Sequence, residues 1–262
     1  MSEKVIVITG ASSGIGAALA RQLGAQGWAL ALAARREQEL QRVASQSGPA
    51  ALAIVTDVRL RPDVERLRDE TLARFGRIDI WINNAGRGIG RKVADLTDAD
   101  FDEMMAVNVK SALYGMQAVL PHFMQRGTGH IINVSSFLGR VPLASFRSAY
   151  NAAKAALNSL TANLRMDLKA THPGIQVSLV MPGIVDTDFA RNALGGTPLP
   201  PPGARPMVAQ APEDVARLIA ELIEHPQPEL YTNPASPEMA RRYFQDVAAF
   251  EATLVPAPTR KQ

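Results

Sequence analysis

Lys4-Val5-Ile6-Val7-Ile8-Thr9-Gly10-Ala11-Ser12-Ser13-Gly14-Ile15-Gly16 is the stretch that decides the fold. Residues 4–9 form an apolar, β-branched run of strand length. Glycines then follow in the pattern G-x-x-x-G-x-G, and Ile15, Leu19 and Leu23 at i, i+4, i+8 open a helix over residues 14–27. A strand that turns through glycines into a helix offers backbone N–H groups and the positive end of a helix dipole to an anion. Glycine lets that backbone come close to a pyrophosphate. The spacing is not the G-x-G-x-x-G of many dinucleotide sites, and no Lys-Ser/Thr follows as a P-loop requires. A glycine-rich turn without a ligand is the competing reading.

Outward from this turn, residues 28–34, 51–56, 79–83, 130–135 and 175–181 read as further strands. Helical stretches over 36–46, 62–75, 98–126 (room for one or two helices) and 148–171 separate them. Strands that are apolar throughout and alternate with helices form a parallel sheet covered on both faces, and right-handed crossovers leave few topologies. The expected fold is α/β, a Rossmann-type doubly wound parallel sheet of about seven strands, with a nucleotide at the carboxyl edge. All 262 residues are expected to form one domain. Residues 192–210, rich in Pro and Gly, cannot form a regular element, and about 187–211 is expected to be a flap over a site. A linker is the other reading, but only about 50 residues follow it, few for a second domain. They form an expected C-terminal extension, 212–262. It carries a helix at 213–224, an edge strand at 229–232, a helix near 237–250 and a frayed tail at 255–262.

Composition removes several chemistries. The chain has no Cys, which excludes disulfides, Cys-ligated metal or iron–sulfur sites and a thiol nucleophile. Lys and Arg exceed Asp and Glu by 28 to 25. Arg59, Arg61, Arg66 and Arg68 alternate with Asp57, Asp63, Glu65 and Asp69, so they read as a solvated helix face rather than a nucleic-acid surface. No run approaches the ~20 apolar residues of a membrane span, and the apolar opening is too short for a signal peptide. The expected compartment is the cytoplasm. His122, His130, His172 and His225 lack metal-ligand spacing, so no metal is expected, and no G-x-S-x-G elbow is present. The sequon Asn133-Val134-Ser135 falls at a buried strand end and reads as chance.

Several motifs occur in one order: the turn from Thr9 to Gly16, Asp57-Val58, Asn83-Asn84-Ala85-Gly86, Asn108, Ser136, Tyr150-x-x-x-Lys154 and Pro182-Gly183. With them the chain resembles the short-chain dehydrogenase/reductase family, in its compact single-domain, NADP-preferring branch. The resemblance is strongest over about residues 4–190. It implies hydride transfer between a nicotinamide cofactor and a carbonyl or alcohol, as an NADPH-dependent reductase of ketones or aldehydes that also runs in reverse. Two other readings stay open: an NADP-binding sensor or scaffold without turnover, and an NAD-dependent alcohol dehydrogenase.

Tyr150 and Lys154, at i, i+4, share one helix face. A phenol with a pKa near 10 is a poor acid–base at neutral pH, and a nearby ammonium favours its ionised form. The bare pair is also a common surface coincidence. The resemblance makes Tyr150 the general acid and base, and Lys154 the group that tunes it and holds the nicotinamide ribose. It makes Ser136, with Ser135 competing, the hydrogen-bond partner of the substrate oxygen. Ser136 and Tyr150 stand one residue further apart than in the family's common form, which leaves the intervening loop open. Asn108 is implied to support a water that links Lys154 to solvent; satisfying a break in the helix backbone is its compatible alternative.

The resemblance places Gly10, Ser12, Ser13, Gly14, Ile15 and Gly16 around the pyrophosphate, Asp57 and Val58 at the adenine edge, and Asn84, Ala85 and Gly86 along the cofactor. It places Pro182, Gly183 and Thr187 at the carboxamide. Asn83 has a structural alternative, bonding between strands. The second strand ends Ala33-Ala34-Arg35-Arg36, with no carboxylate until Glu37. A carboxylate there marks NAD, whereas arginine forks suit a 2′-phosphate, so NADP(H) is the expected cofactor. Residues 87–93, 137–146 and 189–207 should wall the substrate pocket. The second and third supply Phe137, Leu138, Val141, Leu143, Phe146, Phe189, Leu194, Leu199 and Met207, so a medium-sized apolar ketone or secondary alcohol is expected. Assembly as a homodimer or homotetramer through 98–126 and 148–171 is implied. Leu157, Leu160, Leu164 and Leu168 form a stripe that suits either an interface or the core.

Overall fold

The computed structural model describes residues 4–196 and 208–254. The chain runs β1 (Val5–Thr9), α1 (Gly14–Ala25), β2 (Ala29–Ala34), α2 (Glu37–Ser45), β3 (Ala51–Val55), α3 (Arg61–Phe75) and β4 (Ile80–Asn83). It continues through α4 (Asp98–Met105), a π-helical segment (Ala106–Lys110), α5 (Ser111–Arg126), β5 (Gly129–Val134), α6 (Ser148–Thr171) and β6 (Ile175–Met181). Last come α7 (Pro212–Glu224), β7 (Glu229–Tyr231), α8 (Ser236–Gln245) and α9 (Val247–Ala252).

All strand pairs are parallel, in the order β3-β2-β1-β4-β5-β6-β7. The doubly wound sheet expected from the alternation of apolar runs and helices is therefore present. Strand order reverses between β1 and β4, which pair Ile6 with Ile80 and Ile8 with Ile82. This reversal opens the crevice at the carboxyl edge where ligands sit in such sheets.

The uniform apolarity of the strands follows from the two layers. Successive side chains of a strand point to opposite faces. Ile6 and Ile8 of β1 pack with Leu19, Leu40 and Ile219 from α1, α2 and α7. Val7 between them packs with Leu67, Phe123 and Leu168 from α3, α5 and α6. Leu160, Leu164 and Leu168 turn into this second core, so most of the leucine stripe on α6 is core packing.

Two long helical stretches are divided. Residues 98–126 form α4 and α5 joined through the π-helical segment, where Asn108 Nδ2 donates to Met104 O at 3.1 Å. The stretch near 237–250 breaks at Asp246, whose extended backbone (φ −154°, ψ 92°) ends α8 and whose carboxylate accepts from Ala249 N to cap α9. Phe250 and Ala240 of these helices pack on Phe137 and Val141. The described ends of the expected flap are tied to each other just after β6: Gln210 N donates to Ile184 O, and Asp186 N to Gln210 O, both at 2.9 Å. Leu199, Met207 and the tail from 255 onward lie outside the described residues. Among the described residues, no helix is long and apolar enough to cross a membrane.

Candidate active site

The glycine turn is built by close backbone approach. Gly10 (φ +68°) and Gly14 (φ +55°) occupy the left-handed region that favours glycine. A methyl group on Gly10 would stand 2.8 Å from Ala85 Cα, and one on Gly16 would stand 2.4 Å from Gly10 O. The segment after β4 therefore lies directly on the turn. Thr9 holds it there: its hydroxyl accepts from Asn84 N at 3.0 Å and Ala85 N at 3.1 Å. The Asn84 amide donates back to Thr9 O at 2.9 Å. Sequence reasoning gave Thr9 no role of its own; its signal is a hydroxyl residue at the end of an otherwise apolar strand. Asn83 is structural. It accepts from Trp81 Nε1 and donates to Asn133 Oδ1, each at 2.8 Å, within the core.

The end of β2 meets the same turn. Arg36 Nη2 donates to Ser12 Oγ at 3.0 Å and Ser13 Oγ at 2.8 Å. Arg35 is exposed next to it, and its charge helps lower the Asp57 carboxyl. The larger cause is Arg59. Asp57 accepts from Arg59 N and Nε at 3.0 Å and from Nη2 at 2.6 Å, which holds its carboxyl below the usual range. Arg59 also pairs with Glu103 at 3.0 Å. Reading Arg59 as part of a solvated helix face is therefore corrected: it precedes α3 and is spent on two carboxylates. Arg66, within α3, does pair along the helix surface with Asp63 and Glu70. Val58 is buried beside Asp57.

Ser136, Tyr150, Lys154 and Asn108 are all buried at the carboxyl edge. The Ser136 hydroxyl neighbours the Tyr150 phenol and pulls it down. Ser135 Oγ instead donates to Asn158 Oδ1 and faces the Lys154 carbonyl, which leaves Ser136 as the hydroxyl at the phenol. Lys154 Nζ donates to Val134 O at 3.0 Å and lies 5.7 Å from the Tyr150 ring centroid. A methyl group on Gly86 would stand 3.0 Å from Asn108 Oδ1 and 3.6 Å from Lys154 Nζ, so this glycine keeps the space between them open. Asn108 takes up the broken helix backbone and also binds the segment after β4. Its Nδ2 donates to Arg87 O at 3.0 Å, and its Oδ1 accepts from Arg87 N at 3.2 Å. A π-helical insertion of this kind often marks a functional site. Between Ser136 and Tyr150 the chain first makes a short turn, Phe137–Gly139, capped by Ser136 Oγ accepting from Leu138 N. Gly139 lies against α6, where a methyl group would stand 2.6 Å from the Lys154 carbonyl carbon.

Burial sets the electrostatics of this edge. It pushes the Tyr150 phenol up to about 12, against the pull of the Ser136 hydroxyl and the Arg147 charge. It pushes Lys154 down to about 7. Desolvation thus dominates both groups of the i, i+4 pair. Arg147 was not singled out from the sequence. A basic residue at a helix start reads as solvated, yet this one is buried.

Thr187 reaches the glycine turn from the other side: a methyl group on Gly14 would stand 3.1 Å from its Cγ2. Pro182 O accepts from Phe137 N at 2.9 Å, and Gly183 lies beside Asn233. The segments after β4 and β6 thus both meet the glycine turn, at Gly10 and at Gly14. A helix N-terminus at the carboxyl edge of a parallel sheet is where dinucleotides lie in such folds. Ile89, Leu138, Phe189 and Leu194 gather with Tyr150 in one apolar cluster, and the Phe189 ring meets Tyr150 edge-on at 5.5 Å.

Comparison with known proteins agrees with this geometry. The family model described as short chain dehydrogenase matches residues 4–195. An uncharacterized oxidoreductase of Staphylococcus epidermidis is 38% identical over 187 residues, 71% of this chain and 80% of that protein. A short-chain dehydrogenase/reductase from Burkholderia phymatum in complex with NAD superposes with a TM-score of 0.84 at 28% identity, over 99% of this chain and 98% of that one. A short chain dehydrogenase from Burkholderia cenocepacia in complex with NADP gives 0.79 at 29% identity, over 97% and 98%.

Proposed function

The chain belongs to the short-chain dehydrogenase family and is an oxidoreductase of that kind, and within it we propose an NADPH-dependent reductase of ketones or aldehydes that also oxidises the corresponding alcohols. The observation that carries this reading is the convergence of Ser136, Tyr150 and Lys154 beside Gly86 at the carboxyl edge of the sheet. When bound, the cofactor supplies the hydride; the rest of the chemistry belongs to the chain's own residues.

Ser136 donates a hydrogen bond to the carbonyl oxygen and stabilises the charge that develops there. Tyr150 gives its phenolic proton to that oxygen as the alcohol forms, and takes it back in the reverse direction. Lys154 holds the nicotinamide ribose and favours the phenolate. Asn108 steadies a water through which the proton on Tyr150 is replaced by way of Lys154. Gly10, Ser12, Ser13, Gly14, Ile15 and Gly16 hold the pyrophosphate. Asp57 and Val58 hold the adenine edge; Asn84, Ala85 and Gly86 hold the middle; Pro182, Gly183 and Thr187 hold the carboxamide. Arg35 and Arg36 hold a 2′-phosphate, supported by the absence of a carboxylate at the end of β2 and by the reach of Arg36 to Ser12 and Ser13.

The cluster of Ile89, Leu138, Phe189 and Leu194 around Tyr150 supports a medium-sized apolar substrate. A homodimer or homotetramer through the outer faces of α4–α5 and α6, where Phe101 and Met166 are exposed, completes the reading. The test is consumption of NADPH across a panel of ketones and aldehydes, with NADH in parallel. Turnover with NADPH about tenfold or more above NADH is expected, because a charge-assisted contact contributes about 1.5–3 kcal/mol. Tight NADPH binding with no turnover on any of them would favour a binding protein instead.

A further inference from the structure

The outer side of the glycine turn opens into a cavity of about 340 Å³ lined by α1 and α2, a size at which small ligands bind. Ser12 and Ser13 wall it at the turn. Arg21 of α1, with Arg42 and Gln46 at the end of α2, supplies the other polar side chains of its lining. Ala17, between Gly14 and Arg21 on α1, brings only a methyl group to it.

Every polar side chain of this lining can donate a hydrogen bond, and none is a carboxylate. Arg36 Nη2 donates to Ser12 Oγ and Ser13 Oγ, and a guanidinium accepts nothing in return, so both hydroxyl protons are left to donate elsewhere. Among the described residues, the side chains of Arg21 and Arg42 have no hydrogen bond or ion pair; Glu39, on the same helix as Arg42, pairs with Arg36. Arg66 on α3 shows the contrast, since it engages both Asp63 and Glu70. Two permanent cations and the positive end of α1 at Gly14 therefore face one small cavity. Their mutual repulsion is relieved by an anion. A cation at position 42 also suits the last turn of α2, but that account leaves out Arg21, which lies outside the last turn of α1.

We propose that this cavity is a phosphate-binding site, held by Arg21 and Arg42, with Ser12 and Ser13 donating to the phosphate oxygens. The planar fork of a guanidinium matches two oxygens of a phosphate at once. The site shares its serines with the turn that holds the pyrophosphate in the proposed function, but its two arginines are further from β2 along the chain than Arg35 and Arg36 or belong to α1. The phosphate has two sources. It is the ribose phosphate of NADP(H), which makes Arg21 and Arg42 specificity-determining residues, or it is free phosphate bound beside the cofactor. The first source rests on the reading of the glycine turn as a cofactor site; the second does not.

Calorimetric titration of the full chain in phosphate-free buffer, with inorganic phosphate, NADPH and NADH as probes, tests this. Arg21→Gln and Arg42→Gln each remove one charge from a half-buried or exposed helix position and keep a good helix former there. Each should weaken binding of the phosphate group about tenfold, the loss of one charge-assisted contact. If the phosphate is the cofactor's, the loss falls on NADPH and spares NADH, and inorganic phosphate competes with NADPH. If it is free phosphate, the loss falls on inorganic phosphate, which binds together with NADPH. Arg74→Gln on α3, a helix of the opposite layer, controls for the general loss of positive charge and should alter neither affinity. Affinities for phosphate and NADPH that stay within about threefold of the parent in both variants, or an equal loss in Arg74→Gln, overturn the proposal. Arginine-dependent binding of phosphate by a protein that takes up neither nicotinamide would sink the cofactor reading and leave the phosphate site standing.

Discussion

Arg36 Nη2 donates to Ser13 Oγ at 2.8 Å, tying the end of β2 to the glycine turn that opens α1. That bond sets a guanidinium fork where the adenosine ribose of a dinucleotide lies in such folds. If the fork serves a 2′-phosphate, Arg36→Ala should raise the Kd for NADPH about ten- to hundredfold, from the loss of about 1.5–3 kcal/mol of charge-assisted bonding. The Kd for NADH should change by less than about threefold, since no phosphate contact is lost. Titration of protein fluorescence with each cofactor measures both. Equal weakening of the two would mean that Arg36 only braces the turn.

Tyr150→Phe deletes the phenolic oxygen that the Ser136 hydroxyl neighbours and keeps the ring against Phe189. Turnover should fall about 10²–10⁴-fold, the usual share of a general acid or base. Cofactor affinity and unfolding temperature should stay near those of the parent. A variant that keeps more than about a tenth of the parent's rate would remove Tyr150 from the acid–base role.

The parts of the molecule readable from sequence are those fixed by local pattern. Uniformly apolar strands such as β2 could only be covered on both faces, and the i, i+4 spacing of Tyr150 and Lys154 could only put them on one helix face. What stayed hidden depends on partners distant in sequence. Arg59 alternates with acids as a surface arginine does, yet its fold partners are Asp57 and Glu103, the latter 44 residues away. Arg147 looks like a solvated helix start until Ile89 and Phe189 close over it. The π-helical segment leaves no periodic trace, because a single asparagine side chain takes up the displaced carbonyl. Asp246 was legible in principle, as an N-cap residue type before a short apolar helix.

Gly139 joins the fold to the site. A methyl group there would meet the Lys154 carbonyl carbon at 2.6 Å, backbone that cannot rotate away. Gly139→Ala should therefore push the Phe137–Gly139 turn off α6, costing about 1–3 kcal/mol of stability as overpacking does. It should also lower turnover, because Ser136 and Lys154 are displaced together. Gly183→Ala, whose new methyl would lie 3.6 Å from Asn233 Cβ at ordinary contact distance, should unfold within about 1 kcal/mol of the parent. Chemical denaturation of both variants checks the contrast, and equal losses would show that α6 yields to the extra atom.

Lys154 should leave a signature in the stability of the cofactor-free protein. Burial takes it from 10.5 down to about 7. Between those two values the unfolded chain binds a proton that the folded protein has lost, so stability rises with pH across that window. The cost of the buried lysine is fully present below about 7 and gone above about 10.5. Tyr150 acts later and with the opposite sign. Its phenol goes from 10.0 up to about 12, so the stability it contributes below 10 is lost as pH climbs through 12. Lys154→Met removes the first effect and keeps the second. Urea denaturation from about pH 6 to 9.5 should show parent stability climbing relative to the variant by an amount on the order of a few kcal/mol. The hydrogen bond to Val134 O is lost in the variant at every pH and only offsets the two curves. Parallel curves would mean that the folded protein keeps Lys154 charged at neutral pH without any cofactor, and that burial at this edge is relieved by solvent reaching Nζ.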